Sequence, residues 1–125
     1  MSEEGALVAV VDDEEPIRKA LSRLLRVAGF KVETFASGAE FLKSLRNHAP
    51  DCVILDLHMP EIDGFEVQSQ LRQSSFRIPV IAITGRDAAK DHERILQCGV
   101  AAFLQKPLDG EVLRGAITAA TTPVS

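Results

Sequence analysis

The sequence predicts an α/β fold: a five-stranded parallel sheet with helices on both faces, doubly wound. Three observations carry this. Strand-like and helix-like patterns alternate along the 125 residues. The strand segments are mostly apolar throughout, as strands covered on both faces are. Helical segments separate successive strands, and helical crossovers demand parallel pairing with right-handed connections.

ALVAVV, Ala6 to Val11, is an apolar run of strand length. The segment DDEEPIRKALSRLLRVAG follows, with Ile17, Leu21, Leu24, Leu25 and Ala28 at helical spacing, Pro16 in the first turn and Gly29 as the stop. KVETF alternates in polarity like a strand. In SGAEFLKSLRN, Ser37 is a helix N-cap with Glu40 three residues later, a capping box, and Phe41, Leu42 and Leu45 form the inner face. CVIL is the third strand and leads straight into Asp56. Asp63-Gly64 reads as a turn before the helix GFEVQSQLRQ, whose core side carries Phe65, Val67 or Gln68, and Leu71. IPVIAIT is the fourth strand, with Pro79 at its entry, where a missing donor is tolerated. DAAKDHERILQCG is a short helix with Ile95 and Leu96 inside and Gly99 as its stop. AAFLQ is the fifth strand. DGEVLRGAITAA closes the pattern, with Asp109 as N-cap and Val112, Leu113, Ala116 and Ile117 as its buried stripe. Residues 1–120 form one domain, and 121–125 are a tail or the start of a linker.

A chain of 125 residues fits one domain and can bury a core without disulfides or metal staples. Its hydrophobic share of 46% and charged share of 26% place it with ordinary soluble globular chains. The net charge of −4 argues against direct nucleic-acid binding, because phosphate backbones select basic surfaces. Cys52 and Cys98 sit in no metal or redox motif and read as small hydrophobes in a reducing cytosol. Acids precede the first apolar run, unlike a signal peptide, and the apolar runs are too short to span a bilayer. The expectation is a cytoplasmic chain without membrane contact.

The polar residues at strand ends narrow the chemistry. Asp12 and Asp13 follow the first strand, Asp56 follows the third, Thr84 closes the fourth, and Lys106 with Pro107 follows the fifth. In an open parallel sheet these ends share one edge, where ligands bind. Three carboxylates brought together repel one another, so the cluster calls for a hard divalent cation such as Mg²⁺. Lys106 adds positive charge and Thr84 a hydroxyl donor. Carboxylate nucleophile, metal, ammonium and hydroxyl make a set suited to phosphoryl transfer. Glu14 and Glu15 read as acids favoured by the helix N-terminus. His58 reads as an exposed loop residue rather than a side-chain ligand, and His48 and His92 as solvated. Arg18, Lys19, Arg23 and Arg26 form the polar face of the first helix.

Four segments, VVDDEE, ILDLHMPEIDG, AITG and FLQKP, stand in order and in register with the five strands. With them the chain resembles a receiver domain of a two-component response regulator, from about Ala6 to Ala120. The resemblance implies the flavodoxin-like, CheY-like (βα)5 fold. It implies that Asp56 is the phosphoacceptor and that Asp13 ligates Mg²⁺, with Asp12 supporting through water. The Asp56 carboxylate and the His58 main-chain carbonyl would complete the ligands, and Mn²⁺ or Ca²⁺ can substitute. Thr84 and Lys106 would each reach a phosphoryl oxygen. Phe103 falls on the family's switch-aromatic position, where Tyr is common. With Thr84 it would couple the site to the surface of the fourth helix, fifth strand and fifth helix. His58 and Arg86 fall on variable positions flanking the phosphoryl group. The implied donor is a sensor histidine kinase or a histidine phosphotransfer protein, docking on the first helix, and homodimerisation on phosphorylation is a further expectation. The implied activity is signalling, with self-catalysed phosphotransfer and autodephosphorylation only. DEEPIRKAL and the ITG ending are similar to the branch whose receivers precede a helix-turn-helix output domain.

Three other readings compete. A haloacid-dehalogenase-type phosphohydrolase places a second acid two residues after its nucleophile, where this chain has His58. A flavodoxin-like electron carrier needs an anion-binding loop after the first strand, and DDEE would repel a phosphate. A degenerate receiver acting only as an interaction module conflicts with the intact set of site residues.

Overall fold

Short apolar runs leave a strand no way to satisfy its backbone except by pairing with other strands. The computed structural model describes residues 5–85 and 88–121, with the side chains of 88–92 left aside. The elements are β1 (Leu7–Val11), α1 (Glu15–Val27), β2 (Lys31–Phe35), α2 (Gly38–Ser44), β3 (Cys52–Asp56), α3 (Gly64–Gln73), β4 (Val80–Thr84), α4 (Ala88–Gln97), β5 (Ala102–Gln105) and α5 (Gly110–Thr121). All strand pairs are parallel, in the order β2-β1-β3-β4-β5. The chain therefore moves to one side of β1 for β2 and to the other for β3. The resulting crevice lies at the C-terminal ends of β1 and β3. Val11 pairs with Leu55 and Asp56 with Ile83, so the residues after β1 and at the end of β3 are neighbours.

Alternate strand residues face opposite layers. Val8, Val10, Cys52, Ile54, Ile81 and Ile83 pack with Leu21 and Leu25 of α1 and Leu113 and Ile117 of α5. On the other face Ala9, Val11, Val53, Leu55 and Val80 meet Phe41 of α2 and Val67 and Leu71 of α3. A smaller cluster there joins Leu57, Phe65, Ala82 and Ile95. Cys52 is buried, which pushes its thiol up to about 12 and leaves it inert, and Cys98 is also free. No helix among the described residues is long and apolar enough to cross a membrane.

The caps follow local chemistry. Ser37 Oγ accepts from the Glu40 N–H at 3.1 Å, while Glu40 Oε1 accepts from Ala36 N rather than from Ser37. Asp109 Oδ1 accepts from the N–H groups of Glu111 and Val112. Gly29 and Gly99, at φ 98° and 78°, end α1 and α4 in the left-handed region.

Several expectations fail here. Val112 is 54% exposed and Leu96 69% exposed, although both read as inner residues. Each adjoins a residue that takes the inward position, Leu113 and Ile95, and consecutive helical residues point about 100° apart. Leu24, 39% exposed, leans over Gly110 instead of the sheet, close to where a Gly110 side chain would begin. β5 starts at Ala102; Ala101 before it only donates to Val80 O. His48 is solvated as expected, and its Nε2 also lies 2.9 Å from Glu33 Oε2. Asp63 is the N-cap of α3 rather than part of a simple turn, accepting from Glu66 N at 3.0 Å.

Candidate functional site

Backbone bonds carry the strand register into the loops that hold the site. Asp12 N donates to Phe35 O, Leu57 N to Ile83 O, and Lys106 N to Thr84 O at 2.8 Å. Asp12, Asp56 and Lys106 are thus each anchored to a neighbouring strand end. Their side chains meet. Lys106 Nζ lies 3.1 Å from Asp12 Oδ2 and 3.6 Å from Asp56 Oδ2. Asp12, Asp13 and Asp56 each offer a carboxylate oxygen within 4.8 Å of the others. Asp12 and Asp56 are buried and Asp13 is exposed, so the cluster opens to solvent on one side.

Glycine lets the loop after β3 close over this edge. A Cβ on Gly64 would press on the Asp56 carbonyl oxygen and lie 2.7 Å from Leu57 Cα. α3 therefore starts in backbone contact with the strand end that carries Asp56, and the Gly64 N–H donates to Leu57 O. The His58 N–H donates to Asp56 Oδ1 at 3.1 Å and orients that carboxylate.

The electrostatics mark Asp56 as an unhappy carboxylate. Burial pushes its carboxyl up to about 6, the His58 N–H and Lys106 pull it down, and Asp12 and Asp13 push it further up. Burial draws the Lys106 ammonium downward, but the close Asp12 carboxylate and the charges of Asp56 and Glu14 outweigh that, leaving it raised. Asp12 Oδ2 is fully buried and, although 3.1 Å from Lys106 Nζ, receives no well-aligned hydrogen bond among the described residues. An all-oxygen set with an under-satisfied buried acceptor and a carboxylate resisting ionisation fits a hard divalent cation. It does not fit a soft or thiolate-preferring metal.

Thr84 is brought to the same edge and is fully buried, with its Oγ1 lacking a hydrogen-bond partner among the described residues. Its main-chain carbonyl accepts from Lys106 N, but its hydroxyl is hydrogen-bonded to neither Asp56 nor Lys106. Phe103 lies one strand further out, half-buried against the cluster of Leu57, Phe65, Ala82 and Ile95. The Lys106-Pro107 peptide is cis. The His58 ring is exposed to solvent on one side and meets Phe65 edge-on. Arg86 and the His92 side chain lie outside the described residues.

Two residues read only as helix surface belong here. Glu14 Oε1 is 3.4 Å from Lys106 Nζ, a contact across 92 positions. Arg18 Nη1 donates to the Asp12 main-chain carbonyl at 2.8 Å. The signal for Arg18 was present: side chains near a helix start lean back toward its N-terminus, and here that end abuts the acids. For Glu14 no local pattern separated it from Glu15.

Comparison with known proteins agrees with this geometry. The family profile described as "Response regulator receiver domain" matches residues 8–118. The chain is 38% identical over 120 residues to the response regulator protein TodT of Pseudomonas putida, covering 96% of this chain and 53% of TodT. It is 38% identical over 106 residues to the response regulator MprA of Mycobacterium sp. (strain KMS), covering 85% of this chain and 46% of MprA. The chain thus spans about half the length of these curated relatives. Among solved structures, FixJ-N superposes with a TM-score of 0.88 at 32% identity, covering 100% of this chain and 99% of that one. A response regulator receiver protein from Burkholderia phymatum gives a TM-score of 0.84 at 38% identity, covering 96% and 98%. Neither the matches nor the geometry supports the haloacid-dehalogenase alternative, since His58 stands where that chemistry needs an acid. With acids, lysine and threonine at the ends of four parallel strands and a profile match over nearly its whole length, the chain belongs to the response regulator receiver domain family of two-component systems.

Proposed function

We propose that this chain is a phosphoacceptor whose Asp56 takes a phosphoryl group from a histidine kinase, a histidine phosphotransfer protein or a small phosphodonor. The observation that carries the reading is the meeting of Lys106 with buried Asp12 and Asp56 at one sheet edge. An Asp56 carboxylate oxygen forms the new bond to phosphorus, and the phosphorus–nitrogen bond of a phosphohistidine breaks, releasing imidazole. The His58 N–H fixes the orientation of Asp56. Lys106 balances charge on the transferred group, and the Thr84 hydroxyl, without a partner among the described residues, has a donor to offer a phosphoryl oxygen. Asp12, Asp13, the Asp56 carboxylate and the main-chain carbonyl of His58 would hold Mg²⁺, or Mn²⁺ or Ca²⁺ in its place. When bound, the ion neutralises the acids and the phosphoryl oxygens so that like charges can approach.

Domain limits of 1–120, with 121–125 as tail or linker start, accompany this reading. So do a switch through Thr84 and Phe103 to the surface of α4, β5 and α5, homodimerisation on phosphorylation, absence of direct nucleic-acid contact by this domain, and cytoplasmic location. We infer no catalytic turnover beyond self-phosphorylation and autodephosphorylation. Incubation with acetyl phosphate and Mg²⁺ should raise the intact mass by one phosphoryl group, and Asp56→Asn should abolish the gain. Wild type that stays unmodified while folded and Mg²⁺-bound would overturn the reading.

A further inference from the structure

Phe65, in the first turn of α3, is buried between two groups from different elements. The guanidinium carbon of Arg94 in α4 stands 3.8 Å from its ring centroid. The His58 ring meets it edge-on, with centroids 6.5 Å apart and planes at 76°. His58 in turn donates its main-chain N–H to Asp56 Oδ1. A continuous path of contacts therefore runs from an exposed cation on α4, through an α3 ring and the loop after β3, to the carboxylate at the sheet edge.

The register of this path is set by the seam between the two helices. Gln68 Nε2 donates to Cys98 O at 2.8 Å, and Arg72 Nη1 to Gln97 O at 3.4 Å. α3 side chains one turn apart thus hold the carbonyl end of α4, which places Arg94 over Phe65. An arginine serving solubility alone would extend into water; this one lies on an aromatic face, where a guanidinium is attracted by the ring quadrupole.

We propose that Arg94 is a positioning residue for Asp56, acting through Phe65 and the main chain of His58. The inference rests on the reading of Asp56 as a metal-binding phosphoacceptor. By restraining the Phe65 ring, Arg94 restrains the His58 segment whose N–H orients Asp56 Oδ1. A carboxylate held in one orientation presents its oxygens to a cation without further ordering.

The sign of the effect on Mg²⁺ affinity tests this. Arg94 is a cation near a cation site, so by electrostatics alone its removal would tighten Mg²⁺ binding, or leave it unchanged where salt screens beyond about 8 Å. Positioning makes the opposite claim. Mg²⁺ titration of the folded, isotope-labelled protein, followed by the amide shifts of Asp13 and His58, should show binding weakened about twofold to fivefold in Arg94→Ala. Arg94→Lys, which keeps a cation within reach of the ring, should stay near wild type. Phe65→Leu, which leaves charge unchanged, should weaken binding as Arg94→Ala does. Equal or tighter binding by Arg94→Ala, or Arg94→Lys as weak as Arg94→Ala, overturns the proposal. A folded wild type that binds no Mg²⁺ at these amides sinks the reading of the site itself, and the inference with it.

Discussion

The two faces of the sheet both bury apolar side chains, but not evenly along their length. On one face, α1 and α5 each set two buried residues, Leu21 and Leu25, Leu113 and Ile117, into one continuous cluster. On the other, the apolar contacts split in two, and α4 contributes only Ile95 to the smaller part among the described residues. What supplements Ile95 is directional: a cation over a ring, an amide to Cys98 O, and a guanidinium to Gln97 O. Apolar burial holds the strands that carry the site, whereas the described side chains of α4, from Glu93 to Gln97, add to Ile95 only contacts that can be exchanged singly. The expectation is that the C-terminal part of α4 lies toward the low-stability end of the molecule, from which moving elements are drawn.

The largest expected effect contrasts the two clusters directly. Leu113→Ala should remove about 4 kcal/mol of stability in urea unfolding, because its cavity lies where layers from both sides prevent collapse. Ile95→Ala should cost about 2 kcal/mol, because a thin pad can relax around the loss. Equal losses would break the comparison.

Next in size is the charge at the edge between the faces. The Asp56 carboxyl is pushed from 3.8 up to about 6, so between those values the native state binds a proton that the unfolded chain has released. Stability without metal therefore falls as pH rises through that window, with a full penalty of about 3 kcal/mol above the native value. Asp56→Asn should be more stable than metal-free wild type by about that amount at pH 7, and the gap should vanish below about pH 4. Denaturation series across pH check this, and a constant gap would remove burial as its cause. The smallest effect concerns dynamics. Amides of the last turn of α4 should exchange with deuterium roughly tenfold faster than the protected amides of α1 and α5. Equal protection would mean that the polar seam holds α4 as firmly as a core does.

Much of this molecule was legible from local pattern. Helical spacing, Ser37 and Asp109 as caps, Gly29 and Gly99 as stops, and the strand runs depend on residues within a turn or two of one another. So does the placement of Asp12, Asp56, Thr84 and Lys106 at strand ends, from which their convergence on one edge followed once the strands were parallel. Tertiary structure alone decided the strand order and which alternate residues of uniformly apolar strands face α1 and α5, because such runs carry no parity. It decided that Val112, Leu96 and Leu24 stay exposed, since a helical stripe has room for only one of two adjacent apolar residues. It also decided that Glu14 reaches Lys106, that Arg18 holds the Asp12 carbonyl, and that Arg94 lies over Phe65. Those pairings depend on the reach of long side chains across elements distant in sequence, and no periodicity in the chain records that distance.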